Sequence, residues 1–255
     1  MNPRNALPLA FLALALALIR PAAAQDVGYL VDEGETLEKA LKEEEAFQKY
    51  REALKLSPHH LRALVRNVEM NCTLGMRQTD KDLKRGYLSL ALEQAGTAHR
   101  TDSLAPDANY AMALALSRMM DVLSVREKVN TVQRIRDHAD SALRRNPDHV
   151  RTLYTLGRWH QEVSALGTPE KAAIRIATGN TPKASLPEAV ECFEKVRRLA
   201  PFFVANYLSL AEAYKASGRS DKAIEALERL QRLPPRAPGD PDVKARGKKL
   251  LDTLY

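Results

Sequence analysis

The residues in this 255-residue chain able to do chemistry are six histidines, two cysteines and a set of arginines and carboxylates. A metal centre needs His or Cys at spacings that converge on one point, such as i and i+4 on one helix face. His59, His60, His99, His138, His149 and His160 have no such spacing, and neither Cys72 nor Cys192 has a CxxC partner. His160 and Glu162 have the chemistry of an acid–base pair, but residues two apart on a helix point to different sides. The sequence holds no HExxH, GxSxG or GxxxxGK and no dinucleotide-type glycine cluster. The expectation is a protein that is not an enzyme, with no cofactor and no metal. The two cysteines read as small buried hydrophobes, although an exported chain permits a disulfide.

The elements that must position the remaining polar residues show themselves as a repeat. Between Val204 and Pro235 lie Tyr207, Leu210, Ala211, Tyr214, Gly218, Ala223, Leu227, Leu230 and Pro235, at offsets 4, 7, 8, 11, 15, 20, 24, 27 and 32. That is the pattern of the 34-residue tetratricopeptide repeat. Small residues at 8 and 20 let two helices approach, large apolar ones fill the space between turns, and proline stops the second helix. The second-helix pattern recurs at Ala46, Tyr50, Ala53 and Pro58, at Ile135, Ala139, Ala142 and Pro147, and at Ala189, Phe193, Val196 and Pro201. A first-helix set, Leu153, Leu156, Gly157 and His160, follows Pro147. The fold class is therefore all-α, an antiparallel helix-pair solenoid. The stop prolines Pro58, Pro106, Pro147, Pro201 and Pro235 are 48, 41, 54 and 34 residues apart, so three intervals exceed one repeat. The surplus falls near 75–86, 121–128 and 164–185; the last holds a short basic helical stretch, Pro169 to Ala177, against which Trp159 is placed to pack.

Composition agrees with helices: aromatics are 5% and glycine only 11 residues, while Ala, Leu, Arg, Glu and Lys abound. Thirty-nine Lys+Arg against 32 Asp+Glu leave +7. The excess is uneven, with three basic and eight acidic residues in 25–50 and 34 basic against 24 acidic in 51–255. The bases interleave with acids at outward helical positions, as in DKAIEALERLQR, so the pattern is a solvated face and not a nucleic-acid stripe.

At the N-terminus, Arg4 precedes an apolar run of 14 residues, Ala6 to Ile19, and Pro21-Ala22-Ala23-Ala24 precedes Gln25. This reads as a signal peptide over 1–24, and its product as periplasmic or secreted. The run falls short of the ~20 residues that span a bilayer. Residues 25–37 lack a clear period and read as a flexible lead-in. The repeat array takes 38–237, and 238–255 form a capping helix with Val243, Leu250, Leu251 and Leu254 apolar.

Arrays of this kind present the first helices on a concave face through positions 2, 5, 9, 12 and 13. The residues of greatest interest there are Arg62, Val65, Tyr110, Arg151, Tyr154, Arg158 and Leu208. Such a face suits a peptide bearing acidic groups. The first reading is therefore a scaffold that binds another protein through this face; the alternative is a phospholipid whose phosphate meets Arg151 or Arg158 while its chain lies over Val65, Tyr110 and Tyr154.

The stretch from LGRWHQEVSALGTPEKAAIRIATGNTPKASLPEAVECFEKV to RRLAPFFVANYLSLAEAY resembles the tetratricopeptide domain of the regulator of microtubule dynamics family. Trp159, Thr181-Pro182 and Pro201-Phe202-Phe203 are its more specific features, and the resemblance extends over roughly residues 40 to 255. It implies the repeat fold, a groove ligand, and, from one branch of the family, phospholipid binding or transfer. Animal members are associated with microtubules, spindle poles or mitochondria. This chain departs from them in beginning with an export signal, so the fold and a groove ligand are what the resemblance implies here.

Overall fold

In the computed structural model, residues 22–179 and 182–255 are described, and all regular structure among them is helical. Met1 to Pro21 of the expected signal, and Thr181 of the Thr-Pro turn, lie outside the described residues. Five antiparallel pairs follow one another: α1 (Ala22–Lys39) with α2 (Glu43–Leu56), α3 (Leu61–Arg77) with α4 (Lys81–Thr101), and α5 (Pro106–Met119) with α6 (Val125–Arg145). The fourth pair, α7 (Val150–Ser164) and α9 (Leu186–Leu199), is separated by the inserted α8 (Thr168–Thr178). The fifth is α10 (Val204–Ala216) with α11 (Ser220–Arg232), and α12 (Asp240–Leu251) packs on both of its helices.

Residues 25–37, expected to be a loose lead-in, are instead helical throughout and belong to α1. Val27 and Val31 are buried in a cluster with Ala46, Phe47, Tyr50 and Ala53 of α2. Counting back from Pro58 in the repeat register puts Leu30, Gly34 and Leu37 at positions 4, 8 and 11, so α1 is the first helix of a standard repeat. The signal was present, but the acidic run around Glu33, Glu35 and Glu38 hid it.

The small residue at position 8 does the same work in two pairs. A Cβ placed on Gly34 would lie 2.5 Å from the Tyr50 ring, and one on Gly157 would lie 2.6 Å from that of Phe193. Both aromatic partners are at position 24, both are fully buried, and each rests on bare helix backbone. Many of the extra residues of the first and second intervals are absorbed in the second helices, since α4 and α6 each run 21 residues. Local caps fix these lengths. Asp80 accepts from the backbone N–H groups of Asp82 and Leu83, Ser124 and Glu127 form a capping box, and His60 and His149 accept from Ala63 and Thr152. A histidine two residues after a stop proline is thus a helix cap in both places.

The insertion is anchored from within. Ile174 of α8 enters the same buried cluster as Trp159, whose indole N–H donates to the Val132 carbonyl at 2.8 Å. Arg136 stacks over the indole at 5.2 Å.

Candidate functional site

The first helices of successive pairs line a groove of about 800 Å³. Its walls come from α1, α3, α5 and α7, with Glu43 at the start of α2 and Phe203 and Ala205 at the start of α10; Arg236 to Asp240 and the first turns of α12 complete the lining. Among the described residues none from α4, α6, α9 or α11 enters it. The solenoid curls far enough that Gly239 comes up to the Arg77 guanidinium at the end of α3, so the linker before α12 bounds the groove.

A chain of charges runs across the first four first-helices. Glu35 of α1 accepts from Arg62 and from Arg66, at 2.6 and 2.8 Å. Arg66 also holds Glu69 at 3.0 Å, one turn along α3. Glu69 in turn accepts from the Tyr110 hydroxyl of α5 at 2.8 Å and pairs with Arg151 of α7 at 3.0 Å. Burial raises the cost of ionising Glu35, but hydrogen bonds from Arg62 and Arg66 outweigh it and hold its carboxyl at about 2. Burial opposes the Arg66 and Arg151 cations too, and the neighbouring carboxylates more than offset it, so both pKa values move up. Glu38 moves up from the usual carboxylate value because burial outweighs Arg66 and the hydroxyl donated by Tyr50.

Four of the seven residues expected on this face line the groove: Tyr110, Arg151, Tyr154 and Arg158. Tyr154 stands between Phe193 and Phe203, with ring centroids 5.9 and 4.8 Å away, and its hydroxyl meets Ser209 at 3.2 Å. Arg158 is engaged by Glu162 at 2.5 Å, so Glu162 serves Arg158 and not His160. His160 is buried, with its Nδ1 3.4 Å from the Ser185 amide, and burial lowers its pKa.

The other three lie elsewhere. Val65 is buried in the core where α5 packs on α3, and Leu208 is buried in the cluster that α12 caps. Packing between first helices consumes position 5 at Val65, and the cluster capped by α12 consumes it at Leu208. Arg62 faces the outer edge of α1 and pairs with Asp32 and Glu35.

Sequence reasoning missed Arg118, Lys39 and Arg236. Arg118 is at position 10, outside the concave set, and its long side chain reaches the groove from the last turn of α5. Lys39 and Arg236 stand near the two ends of the 38–237 array, outside the first helices to which the concave positions were assigned. Among the described residues no group of three or more His, Cys, Asp or Glu is arranged to hold a metal ion. Cys72 is buried at the groove and Cys192 half-buried, both as free thiols. Among the described residues no helix is long and apolar enough to cross a membrane.

Comparison with known proteins agrees with this architecture. A thermophilic TPR protein of Thermus thermophilus superposes with a TM-score of 0.62 at 18% identity, covering 88% of this chain and 98% of that one. Pseudomonas aeruginosa pilF gives 0.50 at 15% identity, over 92% and 94% of the two chains. Both likenesses concern the fold. Regulator of microtubule dynamics protein 3 of Xenopus laevis is 26% identical over 172 residues, covering 67% of this chain and 36% of that protein. Regulator of microtubule dynamics protein 2 of Bos taurus is 29% identical over 131 residues, 51% of this chain and 32% of that one. The chain therefore spans about a third of the length of these two relatives. The family profile described as regulator of microtubule dynamics protein 1-3 matches residues 30–255, from within α1 to the last residue. On that match the chain belongs to the regulator of microtubule dynamics protein 1-3 family.

Proposed function

We infer that the chain is an exported, non-enzymatic scaffold that takes a segment of a partner protein into the groove between its first helices. The groove carries this reading: its walls are rows of side chains from stacked helices, bounded at the far side by the linker before α12. Such rows suit an extended or helical segment, which meets one row after another as it crosses the helices. Export belongs to the reading because of the basic start, the apolar run Ala6 to Ile19 and the alanines before Gln25. A microtubule partner does not, since an exported chain does not meet the cytoskeleton.

The test is site-specific photocrosslinking in the source cell. A photoreactive residue at Thr73, on the groove floor, should yield a discrete protein adduct, and one at the exposed Arg229 of α11 should not. Adducts from Arg229 alone would reject the groove. Native mass spectrometry that finds a retained phospholipid, with no adduct at Thr73, would replace the scaffold by a lipid carrier. N-terminal sequencing should begin at Gln25, and an uncut chain in the cytoplasmic fraction would remove export from the reading.

A further inference from the structure

The charges inside the groove are not balanced in kind. Each of the five carboxylates that line it is engaged. Glu35 is held by Arg62 and Arg66, Glu38 by Tyr50, Glu43 by Arg77, and Glu69 by Arg66, Tyr110 and Arg151. Asp240 accepts from the backbone N–H groups of Arg236 and Ala237. Three cations in the same groove have no carboxylate. Among the described residues the side chains of Lys39 and Arg118 make no hydrogen bond or ion pair, and the Arg236 guanidinium only stacks on Phe202, 4.4 Å from the ring centroid.

Arg151 and Arg158, where an anion was expected from sequence, are already matched by Glu69 and Glu162. The unmatched positive charge at the groove floor is therefore that of Arg118. It stands one turn beyond Leu114 on α5, facing a floor that includes Met70, Cys72 and Met76 of α3. Burial pushes the Cys72 thiol up to about 12, with the Arg118 charge acting against it. A half-buried guanidinium beside thioether and aliphatic side chains matches a carboxylate carried next to apolar groups. The apolar floor is short. Arg66, Glu69, Arg151 and Arg158 break it up, and the hydroxyls of Thr73 and Tyr154 add polar positions, so an acyl chain laid along the groove would cover ion pairs. A peptide, polar at every residue, meets both kinds of surface.

The geometry points to an acidic peptide as the occupant, with an Asp or Glu carboxylate on Arg118, aliphatic side chains on Met70, Met76 and Leu114, and further acidic positions toward Lys39 and Arg236. This rests on the groove reading given above and names the chemistry that the groove selects.

The experiment uses the chain from Gln25 onward and three fluorescein-labelled pools of random nonapeptides with identical aliphatic content. One pool carries Asp and Glu, the second carries Asn and Gln in their place, and the third carries Lys. Fluorescence anisotropy should show the acidic pool binding about tenfold or more tightly than the amide pool, as expected for hydrogen bonds to a charged group, and weakening with salt. R118Q should remove most of that difference while leaving the melting temperature unchanged, because among the described residues no side chain bonds or pairs with Arg118. Equal binding of the acidic and amide pools, unaffected by R118Q, would overturn the acidic-peptide inference and leave a peptide groove standing. Binding of no pool would overturn both. Vesicles of phosphatidylcholine with phosphatidylserine are the remaining arm, and cosedimentation that depends on Arg118 without peptide binding would overturn the inference in favour of lipid.

Discussion

Leu41 and Gly218 occupy the same place, position 15, in the first and last repeats, and both have left-handed backbone, with φ of 61° and 71°. At Gly218 the turn between α10 and α11 has the residue that adopts this region without steric cost. At Leu41 the turn between α1 and α2 forces a branched side chain into it, where an L residue is strained by about 1 to 2 kcal/mol. Leu41→Gly should therefore stabilise the protein. Part of the relief is lost to the added entropy of glycine in the unfolded chain, so the net gain should be about 0.5 to 1 kcal/mol. Urea unfolding checks this, with Gly218→Leu moving the midpoint the other way.

Gly157 supports the Phe193 ring in the fourth pair. A Cβ there would lie 2.6 Å from the ring, and since Phe193 is fully buried the ring has no room to retreat. Gly157→Ala gains helix propensity of about 1 kcal/mol but should still destabilise, because overpacking costs about 1 to 3 kcal/mol. Leu at this position should be worse. Thermal unfolding is the measurement, and a melting temperature that rises with Ala would show that the pair has room for the extra methyl.

The carboxyl of Glu35 makes a pH dependence that can be assigned. Its folded pKa is depressed to about 2 from the ordinary 4.5, so its contribution is fully present above pH 4.5 and is lost as pH falls toward 2. Glu38 has the opposite sign, since its raised pKa favours the folded state only as it takes up a proton. The effect of Glu35 alone is isolated by Glu35→Gln. Chemical denaturation at several pH values should show wild type more stable at neutral pH, with the two proteins converging as pH falls from 4.5 toward 2.

Arg151 is a member of the fold before it is a ligand group. Its pairing with Glu69 at 3.0 Å joins α7 to α3, so Arg151→Ala should cost about 1 kcal/mol, the upper end for a partly exposed pair. R118Q should cost nothing measurable. Denaturation midpoints of the two variants, compared side by side, check that the groove separates structural from available arginines.

Trp159, the sole tryptophan, reports on the insertion. Ile174→Ala removes a buried side chain that holds α8 on the body, at a cost of about 2 to 4 kcal/mol or less if α8 lifts away as a unit. In either case acrylamide should quench Trp159 more strongly than in wild type. Quenching that stays unchanged would separate the indole from α8.

The repeat itself was written in the sequence. Tyr207, Ala211, Gly218, Ala223 and Pro235 stand at spacings set by helix geometry, and contacts within one pair depend on residues close in the chain. The same register, extended back from Pro58, held α1 at Leu30, Gly34 and Leu37, but eight acids in 25–50 masked it. The candidate site was only partly legible for a different reason. Position numbers say which side of a helix faces inward, and they found Tyr110, Arg151, Tyr154 and Arg158. They do not say which inward residues are consumed by packing between first helices, as Val65 is, or covered by α12, as Leu208 is. Nor do they say which cations already have partners. Glu69 lies 82 residues from Arg151, and Gly239 meets Arg77 only because the stacked pairs curl. That curvature is a sum of small rotations at every interface, fixed by how the side chains pack in three dimensions, and it decided that the groove is bounded and that Arg118 is the free charge on its floor.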